Sequence, residues 1–292
     1  MSILLGFCAE HKNKIGNALI VSFAAIFFLG GRILFFSGSE AFAVHFLDVG
    51  QGDSQLIAFP GGVQVLIDGG NPNGRAVEEL SKTMPANDNV IELVALTHPQ
   101  LDHYGGLVEI LKRYKVGVFL WNGRESDIAA YQELRKAIER GSVPTLVLRK
   151  GDLVSYGNYK IKTVWPEEKY VYTKEPNDGS LVLEVDAPNS RVLFTGDIGT
   201  DIEAEILKFY KETVDILKVP HHGSKYSSSA GFLNVLRPKV AVIGVGKNSY
   251  GHPTSQTLSR LASVGAKVFR TDRNGTVSAI FEGNLLRIFE RK

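Results

Sequence analysis

The stretch that decides the fold of this chain is Thr97-His98-Pro99-Gln100-Leu101-Asp102-His103-Tyr104-Gly105-Gly106. It places two imidazoles and a carboxylate within six residues, directly after an apolar run at 91–96. A strand that ends in such a cluster directs several side chains at one place, and imidazole with carboxylate suits zinc, manganese or iron. The alternative is a solvated loop with two ordinary histidines. The rest of the chain weighs against that alternative.

The composition limits the classes of protein to consider. The chain has 292 residues, of which 44% are hydrophobic, and this is enough for a large core. The formal net charge of +2 gives no electrostatic support for a nucleic-acid binder. With Cys8 as the single cysteine, an internal disulfide and a thiolate metal cluster are excluded.

The first 43 residues form a separate segment. Basic residues precede a strongly apolar run at 15–36, which is broken by Gly30-Gly31 and Arg32. This pattern predicts an N-terminal hydrophobic helix that anchors the protein in the cell membrane, with the remainder outside the cytoplasm. The first alternative is a cleaved signal peptide, because Ala41-Phe42-Ala43 resembles an A-x-A site, and the protein would then be secreted. The second, a buried core helix, is disfavoured because residues 15–29 lack charge and amphipathic period.

Residues 44–292 are predicted to form one domain with alternating strands and helices. Strands are predicted at 44–48, 55–59, 63–67, 91–96, 116–121, 145–148, 159–164, 181–185, 192–194, 214–219, 240–245 and 267–270, with a final hairpin at 277–281 and 285–289. Helices are predicted at 75–82, 105–114, 128–139, 201–210, 230–236 and 255–263. Two strand-rich halves that each contain helices indicate two sheets face to face, with helices outside.

Four further segments place acidic or histidine residues directly after apolar strands or in the loops that follow. They contribute Asp68, Asp197, the pair His221-His222 with Ser224, and His252. A single such Asp is usually a turn former, and a single such His is usually structural. Several of them in one sheet-rich domain indicate a chemical site at the strand ends.

In this order, the segments resemble the metallo-β-lactamase superfamily, and most closely the hydrolase domain of ComEC-type DNA-uptake proteins. The resemblance covers nearly all of residues 44–292. It rests on the His98 cluster and on the stretches at 45–54, 177–182, 195–197, 221–224 and 250–253. It implies a four-layer αββα sandwich with a metal site at one edge of the paired sheets.

The resemblance also implies a set of metal ligands. These are His98, Asp102, His103, Asp197 and either His221 or His222. Gln100 departs from the pattern, because the superfamily has His at that place and ComEC-like proteins have Asp. One further superfamily His has no counterpart, and Asn177 or Asp178 lies in that region instead.

Because the ligands divide unequally, we expect one firmly held ion and one weak ion. The firm site would use Asp102, His103, Asp197 and one of the late histidines. The weak site would use His98, Asp197 and Gln100. Zinc is the expected metal, and manganese is the alternative because the weak site is rich in oxygen.

Supporting roles are expected for residues around the ligands. Asp68 would orient a ligand His, although simple turn chemistry with Gly69-Gly70 is an equal alternative. The resemblance places Asp53, Gln100 and Asn177 beside the ligands.

Catalysis and substrate binding are expected from a second group of residues. Asp102 and Asp197 would take a proton from water, and His252 or Ser224 would hold the substrate anion. Lys218 could also bind an anion, but its position in a strand favours another direction.

The expected function is therefore metal-dependent hydrolysis. The resemblance to ComEC-type proteins favours phosphodiesters as substrates, hydrolysed outside the cytoplasmic membrane. The substrate would be DNA or a phosphoester of the cell envelope, such as a choline-phosphate ester. A lactam is disfavoured by the motifs. A membrane-anchored binding module with impaired catalysis remains the non-enzymatic alternative, because of Gln100 and the missing His. The sequence indicates no protein partner.

Overall fold

A computed structural model of the chain describes residues 41–283 and 285–292. The predicted anchor helix lies at residues outside this range. Within the described part of the chain, no helix combines the length and apolar character needed to cross a membrane.

The first sheet has eight strands. They are β1 (Phe42–Phe46), β2 (Gln55–Ala58), β3 (Gln64–Ile67), β4 (Val90–Leu96), β5 (Lys115–Trp121), β6 (Thr145–Val147), β14 (Thr276–Glu282) and β15 (Leu285–Arg291). Their order is β15-β14-β1-β2-β3-β4-β5-β6. Pairing is antiparallel from β15 to β3 and parallel from β3 to β6.

The second sheet has seven strands. They are β7 (Leu153–Tyr156), β8 (Tyr159–Trp165), β9 (Val182–Ala187), β10 (Ser190–Phe194), β11 (Ile216–Lys218), β12 (Val240–Ile243) and β13 (Lys267–Arg270). Their order is β13-β12-β11-β10-β9-β8-β7, with β10 to β13 parallel and the remainder antiparallel.

Helices cover the outer face of each sheet. They are α1 (Arg75–Thr83), α2 (Leu101–Tyr104), α3 (Leu107–Arg113), α4 (Ala129–Arg140), α5 (Glu168–Val171), α6 (Thr200–Ile206), α7 (Ala230–Leu236), α8 (Ser255–Ser263) and α9 (Thr271–Asn274). Short 3₁₀ turns occur at Pro176–Gly179 and Pro220–Gly223.

The alternation of side chains along the strands builds the layers. In β3, Val65 and Ile67 belong to the central core between the sheets, whereas Leu66 packs under helices. In the central core the rings of Phe46 and Phe194, from opposite sheets, lie 6.1 Å apart. On its outer side, each sheet packs against its helices through a further hydrophobic core, one for each sheet. The predicted αββα sandwich is confirmed for the described residues.

The structure differs from the prediction in particular elements. β1 begins at Phe42, so the expected boundary between residues 43 and 44 falls inside a strand. The edge strand β7 was not predicted, because its four residues are all half-buried and give no alternating signal. The Asp102-His103 segment forms the short helix α2 instead of a loop.

Candidate metal centre

Four buried side chains converge at one edge of the two sheets. Potential ligand atoms of Asp53, His103, Asp197 and His222 all lie within 4.8 Å of one another. The Nε2 atom of His103 is 3.3 Å from Asp197 Oδ2, and that of His222 is 3.4 Å from the same oxygen. Such distances match the corners of a tetrahedron around an ion about 2.1 Å from each ligand.

Each sheet supplies two of the four residues. Asp53 lies in the turn between β1 and β2, and His103 lies in α2 after β4. Asp197 and His222 follow the neighbouring parallel strands β10 and β11. Parallel strands end at the same edge of a sheet, and this brings the last two side chains together.

Hydrogen bonds orient both imidazoles. The Nδ1 atom of His103 is 2.8 Å from Asp68 Oδ2, and Asp68 is itself held by the backbone N–H and the hydroxyl of Thr97. The Nδ1–H group of His222 donates to the carbonyl of Gly244 at 2.7 Å. Both rings therefore keep Nε2 for the cluster, the arrangement that metal-binding histidines need.

The cluster fits a divalent metal ion. The Nε2 atom of His103 is buried and has no hydrogen-bond partner in the described part of the chain. A buried nitrogen atom without a hydrogen-bond partner lowers the stability of the fold unless a ligand, such as a metal ion, binds it. Two imidazoles and two carboxylates are a donor set that zinc and manganese accept.

The charges in the cluster support one another. Burial would lower the pKa of His103, but Asp197 and Asp68 outweigh this effect and raise it well above its usual value. Burial would raise the pKa of Asp197, but His222, His103 and Lys218 hold it well below its usual range. A cation at the centre would stabilise the carboxylates in the same way.

Asp53 and Asp102 both lie at the cluster, but in different positions. Asp53 was expected beside the ligands and belongs to the four-residue group. Asp102 was expected as a ligand but lies outside this group, 3.2 Å from His222 Nε2, with its side chain 28% exposed. Gly52 packs directly on the backbone of Asp102, and the N–H of Asp53 donates to the carbonyl of Asp102 at 3.1 Å, so the two residues are neighbours at the cluster.

His98 and Gln100 lie beside the group. His98 is fully buried, its ring centroid is 4.2 Å from that of His103, and its Nε2 atom lacks a hydrogen-bond partner within residues 41–283 and 285–292. Burial, with His103 nearby, lowers the pKa of His98 to about 4. The backbone carbonyl of Gln100 accepts bonds from the N–H groups of His103 and Tyr104, so Gln100 is the N-cap residue that precedes α2.

The backbone separates His221 from His222. Both have left-handed conformations, with φ of 51° and 52°. The ring of His222 enters the cluster, whereas the ring of His221 lies 5.6 Å from that of His252. His221 and His252 are half-buried, and burial lowers the pKa of both. They form an edge of neutral imidazoles beside the cluster.

Ser224 and Asn177 occupy turns near the site. The Ser224 hydroxyl accepts a bond from the N–H of Tyr226 within its own turn. Asn177 lies in the 3₁₀ turn before Ser180, whose hydroxyl accepts a bond from Asp197 N–H at 3.4 Å. The Oδ1 atom of Asn177 is buried without a hydrogen-bond partner among the described residues.

Lys218 is the residue that sequence reasoning underrated. It is 1% exposed, and its Nζ atom contacts Asp53 Oδ2 and lies 3.4 Å from Asp197 Oδ1. Burial opposes the charge on Lys218, but the two carboxylates outweigh it and raise its pKa. Burial in turn raises the pKa of Asp53, against the pull of Lys218 and the histidines, and the direct contact with Nζ favours an ionised pair. The sequence feature that could have indicated its role is a charged residue inside the apolar run at 216–219.

Comparisons with known proteins identify the family of this chain. The family model described as the metallo-beta-lactamase superfamily matches residues 47–247. ComE operon protein 3 of Bacillus subtilis is 31% identical over 253 residues, which are 80% of this chain and 32% of that protein. Recombination protein 2 of Haemophilus influenzae is 30% identical over 285 residues, which are 95% of this chain and 34% of that protein. The chain thus spans about a third of the length of these relatives.

Solved structures share the fold at low identity. The metallo-beta-lactamase fold protein YhfI from Bacillus subtilis has a TM-score of 0.54 at 13% identity and covers 81% of this chain and 99% of its own. CmlA, a diiron beta-hydroxylase from Streptomyces venezuelae, has a TM-score of 0.52 at 14% identity, covering 87% of this chain and 55% of its own. Because the family model matches residues 47–247, the chain belongs to the metallo-beta-lactamase superfamily, and the described residues contain a candidate four-residue metal centre.

Proposed function

We propose that this protein hydrolyses phosphodiesters in the manner of the ComEC-type hydrolase domain. The observation that carries the proposal is the convergence of Asp53, His103, Asp197 and His222, with Asp102 at the partly exposed side. The similarity to competence-related proteins over 80% or more of the chain supports the ComEC-type assignment. Zinc is the proposed metal, with manganese as the alternative.

The residues divide into holding and reacting groups. Asp53, His103, Asp197 and His222 would hold the metal, which would act as a Lewis acid and make hydroxide available at neutral pH. Asp102 would accept the proton of the attacking water. Its carboxylate lies at the partly exposed side of the cluster, 3.2 Å from His222 Nε2.

The open edge of the cluster would receive the substrate. Because burial lowers the pKa of His221 and His252, both rings are neutral at pH 7 and each can donate one N–H to a phosphoryl oxygen. Lys218 is too deeply buried to reach substrate and would act through Asp53 and Asp197. We further propose action at the cell envelope, outside the cytoplasmic membrane, on DNA.

The test is a substrate series with the purified chain and added Zn²⁺ or Mn²⁺. The substrates are bis(p-nitrophenyl) phosphate, short DNA and p-nitrophenyl phosphorylcholine. We expect turnover of the first two and a loss of at least about 100-fold in kcat in His222→Ala. Lys162→Ala is the matched control, because Lys162 pairs with Glu184 and Asp186 away from the cluster.

The other outcomes discriminate between functions. Preferential cleavage of the phosphorylcholine ester would replace DNA with an envelope phosphoester. Metal binding without turnover of any of the three substrates would contradict phosphodiester hydrolysis. A chain that binds no metal in excess Zn²⁺ would instead be the impaired binding module.

A further inference from the structure

We propose that the ammonium group of Lys218 is a built-in second cation, so that the site works with one divalent ion. This inference rests on the proposed function, because it assumes that the cluster binds metal. Lys218 occupies a cage of oxygen atoms that would otherwise bind a second ion.

Three oxygen atoms surround the ammonium. Nζ contacts Asp53 Oδ2, lies 2.8 Å from the carbonyl oxygen of Gly196 and lies 3.4 Å from Asp197 Oδ1. Nζ donates hydrogen bonds to Gly196 O and Asp197 Oδ1 and forms an ion pair with Asp53 Oδ2. Two carboxylates and a carbonyl are also the ligands that manganese, magnesium and calcium prefer. The cage is therefore a cation site that the chain fills itself.

The strand pattern directs Lys218 into this cage. In β11, Ile216 belongs to the core between the sheets and Leu217 packs toward the helices. Because side chains alternate along a strand, Lys218 points the same way as Ile216, toward the first sheet. Asp53 arrives there from the first sheet and Asp197 from the second, so the ammonium joins carboxylates of both sheets.

The charges and the remaining donors favour one ion. Asp53, Asp68, Asp102 and Asp197 are four acidic groups in and around the cluster. One divalent ion and one ammonium neutralise three of them, which leaves little negative charge for another divalent ion. On the side of His98, the expected partner for a second ion was Gln100, whose neutral amide is a poor ligand.

Substitution of Lys218 would have a different effect if its role were only structural. Loss of an ion pair between the sheets predicts lower stability and unchanged or weaker metal binding. Loss of a built-in cation predicts that a second metal ion enters the vacated cage. The number of bound ions therefore distinguishes the two roles without any activity measurement.

The experiment counts metal ions by native mass spectrometry and follows Mn²⁺ by electron paramagnetic resonance. We expect one ion per chain and an isolated Mn²⁺ signal in the natural protein. Lys218→Ala should take up two ions, with the exchange-coupled signal of a neighbouring pair. Lys162→Ala, which removes a half-exposed lysine also paired with two carboxylates, should keep one ion.

Two results would overturn the inference. One is a pair of ions in the natural protein with Lys218 in place, a measurement that does not depend on the folding of any variant. The other is a folded Lys218→Ala chain that still takes up one ion. A natural protein that binds no ion would refute the proposed metal-dependent function itself, which is a separate failure.

Discussion

At the residue scale, backbone conformation decides which of two adjacent imidazoles reaches the metal centre. His221 and His222 both adopt left-handed conformations that non-glycine residues rarely take. Their ring centroids are 6.3 Å apart and the ring planes differ by 75°. Such local strain persists where the surrounding structure imposes it, and it is common at functional sites.

We predict that His222→Ala lowers metal affinity by more than about 100-fold, because loss of a ligand exceeds the 10–100-fold effect of losing a supporting partner. His221→Ala should leave metal affinity near that of the natural protein, because its ring points toward His252. Isothermal titration with Zn²⁺ measures both. Equal losses in the two variants would contradict the assignment of His222.

A second residue-scale prediction concerns acid stability. Burial, with Arg291 nearby, lowers the pKa of His45 to about 4, and its Nδ1 atom pairs with Ser278 Oγ at 2.8 Å. The unfolded chain takes up a proton near pH 6.5, whereas the folded chain resists it until about pH 4. Stability should therefore fall as the pH falls through this window, by about 3 kcal/mol from this group.

The His45→Gln variant should lose this part of the pH dependence. Urea unfolding of metal-free protein between pH 7 and pH 4 would measure it, with the natural chain as the reference. Parallel stability profiles for the two chains would show that His45 does not titrate as its burial implies.

At the element scale, β1 joins the central core through its first residue. The ring of Phe42 is 3% exposed and lies 5.0 Å from the ring of Phe281 and 5.6 Å from that of Phe59. A chain that began at Val44 would lose this contact. Phe42 therefore belongs to the central core of the described residues.

We predict that Phe42→Ala destabilises the protein by about 3–5 kcal/mol, the usual effect of emptying a buried aromatic position. The control is Phe289→Ala, because Phe289 lies on the edge strand β15 and is 51% exposed. Its effect should stay within about 0.5 kcal/mol. Urea denaturation gives both values, and a small effect at Phe42 would place it outside the core.

At the scale of the whole molecule, the metal centre depends on how closely the two sheets approach. The Gly50–Asp53 turn of the first sheet packs on the loop after β12 in the second. A Cβ atom at Gly244 would lie 2.2 Å from Asp53 Oδ1 and 3.1 Å from the carbonyl oxygen of Gly52. The absence of a side chain at Gly244 is therefore what admits Asp53 to the site.

We predict that Gly244→Ala displaces Asp53 and lowers metal affinity at least about 10-fold while the chain remains folded. Gly231→Ala is the matched control, because its added Cβ would meet no atom closer than 3.9 Å. Metal titration and circular dichroism test both properties. Unchanged metal affinity in Gly244→Ala would indicate that Asp53 is dispensable to the site.

The sequence predicted regular elements best where local signals agree. The bounds of α7 and α8 match the prediction, and each helix begins with a cap: Ser229 accepts from Phe232 N–H and Thr254 from Thr257 N–H. α6 was predicted to residue 210 but ends at Ile206, where the backbone passes into tighter turns: the N–H groups of Lys208 and Phe209 donate to the carbonyls of Glu205 and Ile206, three residues earlier. Local pattern alone does not mark such an end.

By itself, the sequence determined the layered sandwich and the strand ends that carry His103, Asp197 and the His221-His222 pair, because periodicity and strand-end chemistry are local properties. Only the tertiary structure decided that Asp53 joins the group, that Asp102 stands at its edge and that Lys218 points inward. The reason is physical: these positions depend on turns from two different sheets meeting across the core. No spacing within one segment encodes such a meeting.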